Sequence, residues 1–223
     1  MTFTHKNFEL EELNTETIDG KRFYVTPTGK LPSITTVLSI LSRDSIQAWR
    51  KRVGEVQANA ISTRASRRGT SVHQMCEYYI NNQFDSKKFL PNDRETFNSL
   101  KPILDEHLNN VYAQEVPLWS EYLGVAGRVD CIAEWDGKIA VIDFKTSRKL
   151  KKKEYISNYF QQCAAYAVMW EERTGISINN IVVVIAVDGE APQVFEEKRD
   201  NYIHECVETI ALYRREQNGK FAK

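Results

Sequence analysis

Between Gly127 and Lys149 the chain reads GRVDCIAEWDGKIAVIDFKTSRK, two apolar runs that each carry a carboxylate where a buried strand ordinarily has none. Asp136-Gly137 is the pair favoured in two-residue type I′ turns, because both central positions need positive φ, and it sits between Val- and Ile-rich runs. A β-hairpin is therefore expected, with Trp135 facing Lys138, Ala133 facing Ala140 and Asp130 opposite Asp143. Directly opposed residues have Cβ atoms roughly 4.5–5.5 Å apart, too close for two carboxylates to stay charged without a cation. Side chains alternate along a strand, so Asp143 and Lys145 point the same way while Ile142 and Phe144 point the other. Two acids beside an ammonium can bind a hard divalent ion and activate water, which is what metal-assisted phosphodiester hydrolysis requires. The simpler alternative is a pair of hairpin-end acids bridged to Arg128 and Lys145. Against it, Asp143 lies within AVIDF, where an unpaired charge is costly to bury.

Other elements must hold further groups against that hairpin. A helix is expected over about Thr63–Asn81, placing Gly69, His73 and Glu77 at four-residue steps on one face. His73 can ligate a metal, with Glu77 orienting it or binding a bridging water, although an ordinary His–Glu pair has the same spacing. Gly69 in mid-helix costs about 1 kcal/mol relative to Ala, which suggests close approach of a strand or a phosphate. A second helix, about Asn158–Arg173, carries Gln162 and Tyr166 on one face; by itself that pair also reads as core packing. Glu115, on a strand leading into the hairpin, is read as an edge acid that could add a carboxylate.

The remaining pattern supplies the scaffold. Asp19-Gly20 and Thr26-Pro27-Thr28-Gly29 mark turns in a polar first segment, read as a peripheral flap over residues 1–30. Ile46, Trp49, Val53, Val56 and Ala60 recur at helical steps and predict a buried stripe. Phe97, Leu100, Leu104 and Leu108 predict the inner face of a helix over 92–111, with Pro102 kinking or restarting it. INNIVVVIAV is the near-continuous apolar run of a strand covered on both faces. Ile203, Val207, Ile210 and Leu212 are expected to face inward on a last helix. The sum is an α/β fold with a mixed sheet of about five strands flanked by helices, in a single domain over 31–223.

Composition narrows the function classes. The 223 residues, 42% hydrophobic, suffice for one core, and no run approaches the ~20 apolar residues of a membrane span. The N-terminus lacks the character of a signal or transit peptide, so a cytoplasmic protein is expected. Cys76, Cys131, Cys163 and Cys206 are far apart, without a C-x-x-C pair, and are read as small core residues. Net charge is zero, yet residues 43–68 hold seven bases against two acids and Lys145–Lys153 holds six bases and no acid. That asymmetry suits one phosphate-facing side. Arg64, Arg67, Arg68, Arg148, Lys149, Lys151, Lys152 and Lys153 are the candidate nucleic-acid contacts, although a basic run can also be a merely solvated face.

Taken in order, the Gly69-x-x-x-His73-x-x-x-Glu77 helix, Gly127-Arg-Val-Asp130, Asp143-Phe-Lys145-Thr-Ser and Gln162-x-x-x-Tyr166 resemble the RecB-type exonucleases of the PD-(D/E)XK nuclease superfamily. Pro32-Ser-Ile-Thr-Thr also resembles a PSxTT segment of the compact, single-domain members, and Val129 stands where the superfamily name has Pro. The resemblance implies a restriction-endonuclease-like core and a metal-dependent DNA exonuclease of repair or recombination, acting on DNA ends with a single strand threaded to the site; the acidic N-terminus, unlike a mitochondrial leader, points to a bacterial or phage origin. The implied metal is Mg²⁺ or Mn²⁺, held by His73, Asp130, Asp143 and the Phe144 carbonyl, without an iron–sulfur cluster. Asp130, Asp143, Lys145, His73, Glu77, Gln162 and Tyr166 are the implied catalytic set. A structure-specific endonuclease on the same core, or a non-catalytic DNA-binding recombination partner, are the alternatives.

Overall fold

In a computed structural model of the protein, residues 2–6 and 8–221 are described, and the last two positions of the expected domain, 222 and 223, lie outside them. The centre is a five-stranded sheet in the order β4-β5-β6-β7-β8, formed by Leu108–Ser120, Val125–Trp135, Lys138–Ser147, Asn180–Val187 and Gln193–Lys198. Strands β5 and β6 form the expected hairpin, with Trp135 paired to Lys138 and Cys131 to Ile142. Asp136 and Gly137 take φ of 50° and 75°, as a type I′ turn demands. β6 and β7 pair in parallel, so the chain must cross over between them, and it does so through helix α5, Ser157–Thr174. Gly175 then stops that helix with φ 73°.

Because β7 is buried on both faces, its side chains divide between two cores. Ile181, Val183, Ile185 and Val187 pack with α5 and with α6, Ile203–Phe221. Val182, Val184 and Ala186 pack beneath α4, Pro91–His107, and the C-terminal part of α3, Glu55–Ile80. The first residues form a second, three-stranded sheet, β1 (Thr15–Ile18), β2 (Lys21–Thr26) and β3 (Gly29–Pro32), joined at the two turns read from sequence. Phe3, Leu13 and Tyr24 of this first segment are buried and pack it onto the main body. After it come α1, Ile34–Leu38, and α2, Arg43–Val53.

Several expectations from periodicity are corrected. The stripe from Ile46 to Ala60 is not buried: Ile46 is 48% and Val56 86% exposed, and α2 has no buried residue. Both faces of the sheet are already covered by α3–α4 and by α5–α6, so no apolar layer remains for α2 to meet. The helix expected at Thr63 begins at Glu55, since Gly54 at φ 83° breaks it from α2. On α6 the inner face is Cys206, Thr209, Ile210 and Tyr213, whereas Val207 and Leu212 are exposed. The helix expected over 92–111 ends at His107, and Leu108 already belongs to β4; Pro102 lies within a continuous helix. All four cysteines are buried and unbridged.

Candidate active site

The sheet positions its acids through a change of face. Val129 and Ile132 lie in the α5-side core, whereas Cys131, Ala133 and Trp135 lie in the α3-side core. Strict alternation would keep Val129 with Cys131, so β5 switches faces at Asp130. The β5–β6 ladder stops at Cys131–Ile142, one pair short of the expected Asp130–Asp143 opposition. In place of a further backbone pair, the Phe144 N–H donates to Asp130 Oδ2 at 2.9 Å. Across the other edge of β5, Cys131 pairs with Gln114 and Val129 with Val116, which leaves Glu115 facing Asp130. The opposed acids of this sheet are therefore Glu115 and Asp130.

Glu115 is bent toward the site by its backbone. Its φ is 50°, unusual for a side chain larger than Asn or Asp, and the Arg128 guanidinium donates to its carbonyl while also pairing with Glu12. His73 comes down from α3 with Nδ1 3.4 Å from Asp130 Oδ2. One ligand atom each from His73, Glu115 and Asp130 lie within 4.8 Å of one another. Burial pushes the Glu115 carboxyl up to about 8, and the charges of Asp130 and Glu77 push in the same direction. A carboxyl so crowded by like charge is one that a cation would relieve. Glu115 lies on the edge strand β4, as expected, and its carboxylate also reaches the His73–Asp130 group; its signal in the sequence was a lone acid inside an otherwise strand-like run.

Asp143 and Lys145 occupy the α5 side of the same region. Asp143 is 1% exposed, its Oδ1 accepts from Lys145 Nζ at 2.5 Å and from Gln162 Nε2 at 3.0 Å. Oδ2 also lies 2.5 Å from the ammonium, so both carboxylate oxygens of Asp143 are paired with Lys145. Burial raises Asp143 to about 6, with Lys145 opposing and Asp130 adding to the rise. Burial alone would lower Lys145, yet the carboxylates of Asp143 and Asp130 hold its ammonium above the usual value. The Tyr159 ring lies beneath that ammonium, 5.3 Å from centroid to Nζ.

Tyr166 is buried on α5 and rests directly on the backbone of Gly127: a Cβ there would lie 2.8 Å from the Tyr166 ring and hydroxyl. Glycine at 127 is thus required by close approach. Gly69 differs from its expectation, because a Cβ at 69 would meet Thr146 Oγ1 at an ordinary 3.8 Å. Glu77 is near enough to raise Glu115 but stands outside the 4.8 Å group. The basic candidates scatter: Arg64, Arg68 and Arg148 line one cavity, and Arg67 lines a neighbouring groove. Lys149 and Lys152 are exposed, the Lys151 amide is tied to Gln193, and Lys153 is paired with Glu197.

Residues 45–217 match the sequence model of the PD-(D/E)XK nuclease superfamily, which is most of the chain. The chain belongs to that superfamily. It is 28% identical to the human mitochondrial genome maintenance exonuclease 1 over 175 residues, covering 71% of the chain and 50% of that protein. To its Xenopus tropicalis counterpart it is 26% identical over 178 residues, covering 74% and 50%. The chain spans about half the length of these curated relatives. Among solved structures, one from Eubacterium rectale that carries a provisional exonuclease name superposes with a TM-score of 0.47 at 14% identity, covering 68% of each chain.

Nucleases of this superfamily use divalent metals, and the residues present fit such an ion. Two carboxylates and one imidazole converge within 4.8 Å of one another, an oxygen-rich set that suits a hard cation. Among the described residues, no helix is long and apolar enough to cross a membrane.

Proposed function

We propose that the chain is a Mg²⁺- or Mn²⁺-dependent deoxyribonuclease that removes nucleotides from DNA ends, with a single strand led to the site. The observation that carries this reading is the convergence of His73, Glu115 and Asp130 within 4.8 Å beside the buried Asp143–Lys145 pair. The exonuclease mode is supported by the names of the curated relatives.

In this reading His73, Glu115, Asp130 and Asp143, with the Phe144 carbonyl, hold the metal. The bound ion supplies Lewis acidity to the scissile phosphate and lowers the pKa of an attacking water. The chain's own residues do the rest. Lys145, held protonated between two acids, is placed to orient the water and offset charge growing on the phosphate, rather than to act as the resting base. Gln162 and Lys145 together fix the orientation of the Asp143 carboxylate. Tyr166, seated on Gly127, sets the strand that carries Asp130, and Glu77 adds negative charge behind Glu115. Arg64, Arg68 and Arg148 are the best-placed phosphate contacts; Lys149 and Lys152 extend them, and the tied Lys153 contributes least.

The test is digestion of end-labelled linear DNA, single- and double-stranded, against circular single-stranded DNA, with Mg²⁺, with Mn²⁺ and with chelator. Degradation of linear DNA alone, abolished by chelator, is expected. Cutting of the circle would replace the exonuclease by an endonuclease, and metal-independent cutting would remove the mechanism.

A further inference from the structure

N-terminal to His73, α3 borders a cavity of about 250 Å³ lined by Ile61, Arg64, Ala65, Arg68, Arg148 and Asp188. Arg64 and Arg68, four apart, come from one face of the helix. Arg148 comes from the end of β6, three residues beyond Lys145, and Asp188 from the β7–β8 turn. Arg68 precedes His73 by five residues along the helix, an axial rise of about 7.5 Å. Three guanidinium groups face a single carboxylate here. Asp188 pairs with Arg68, while among the described residues neither Arg64 nor Arg148 has an ion pair. Arg68 Nε is buried and has no acceptor.

Such a site wants more negative charge than the chain gives it. A guanidinium presents a planar fork that matches two oxygens of a carboxylate or a phosphate, so Asp188 meets Arg68 as a phosphate would. The adjoining 860 Å³ groove is a poorer path for a polyanion, because Asp93, Glu95, Asp188 and Glu190 outnumber Arg64, Arg67 and Arg68. The carboxylate is also free to leave: the Asp188 side chain is 40% exposed against 18% for Arg68.

We infer that the Arg64–Arg68–Arg148 cavity holds a backbone phosphate of the strand bound at the acidic cluster, and that Asp188 stands in for it until nucleic acid displaces the carboxylate from Arg68. This rests on the nuclease reading above and adds a built-in competitor to it. Strand entry exchanges one anion for another on Arg68, so the pair screens the site against weak anions and yields to a chain of phosphates.

The experiment is binding of a fluorescent single-stranded oligonucleotide in EDTA, from about 50 to 200 mM salt, to the parent, Asp188→Asn, Arg68→Ala and the double variant. Asn suits the same turn, so Asp188→Asn should melt with the parent. It is expected to bind about two- to fivefold tighter, the scale of a partly exposed ion pair. Arg68→Ala should bind more weakly, with the slope of log K against log salt reduced by about one, and most of the Asp188→Asn gain should vanish in its background. Unchanged affinity in Asp188→Asn, or a gain that survives intact without Arg68, overturns the inference while leaving a cutting parent enzyme in place. A parent that neither binds nor cuts DNA overturns the nuclease reading and this one together.

Discussion

Helices α3 and α5 each deliver two polar residues, one turn apart, to the same sheet, and they do so in opposite ways. Along α5 ten of eighteen residues are buried; its Gln162 is bonded to Asp143 and its Tyr166 is pressed on Gly127. Along α3 only six of twenty-six are buried, and His73 leaves 29% of its side chain open, touching Asp130 at a loose 3.4 Å. One wall of the site is thus finished by the protein, and the other is left for a ligand to finish. The difference teaches where stability and chemistry should separate: changes on the α5 side should loosen the fold, and changes on the α3 side should cost metal binding with little loss of fold.

The largest effect is expected from Lys145→Ala, which leaves Asp143 buried without its cation. Melting should show a loss of up to about 3 kcal/mol, and hydrolysis should fall at least about a hundredfold, the cost of removing one aimed charge. Next, Gly127→Ala forces a methyl group into Tyr166 and Ile34, an overpacking worth about 1–3 kcal/mol in a denaturant titration. An Ala at 127 that melts like the parent would break the claim that the α5 wall is tightly built.

On the other wall the signs change. Gly69→Ala meets only ordinary contact at Thr146 and should stabilise the protein by about 0.5–1 kcal/mol, the helix gain of Ala over Gly. If its DNA affinity drops while its melting temperature rises, the surface around Gly69 belongs to the substrate. Smallest in stability is His73→Ala, expected within about 0.5 kcal/mol of the parent in metal-free buffer. Its thermal shift on adding Mn²⁺ should nevertheless shrink relative to the parent, because a ligand that binds only the folded state stabilises it in proportion to its affinity. An equal Mn²⁺ shift in both proteins would erase the contrast between the walls.

Much of this was legible in the residues. Asp136-Gly137 fixed the β5–β6 hairpin because few residues accept positive φ twice in succession, and the apolar run of β7 announced a strand with both faces covered. The helical steps of His73–Glu77 and Gln162–Tyr166 were correct because a single helix carries its own geometry. Periodicity failed at Ile46 and Val56, which have helical spacing but no layer to pack on. It failed again on α6, where Cys206 and Tyr213 outcompeted Val207 and Leu212 for the inner face.

The sequence alone determined the local pieces: which segments are strands or helices, where the tight turns fall, and that Asp143 and Lys145 share a face, since alternation and helical pitch act within a few residues. Only the tertiary structure decided that Glu115, through a positive φ held by Arg128, faces Asp130 while Asp143 turns to Lys145 and Gln162. Likewise only the fold brought Arg68 to Asp188 across 120 residues. Register between strands and contact between distant segments depend on what the whole core can bury at once, and no local pattern contains that sum.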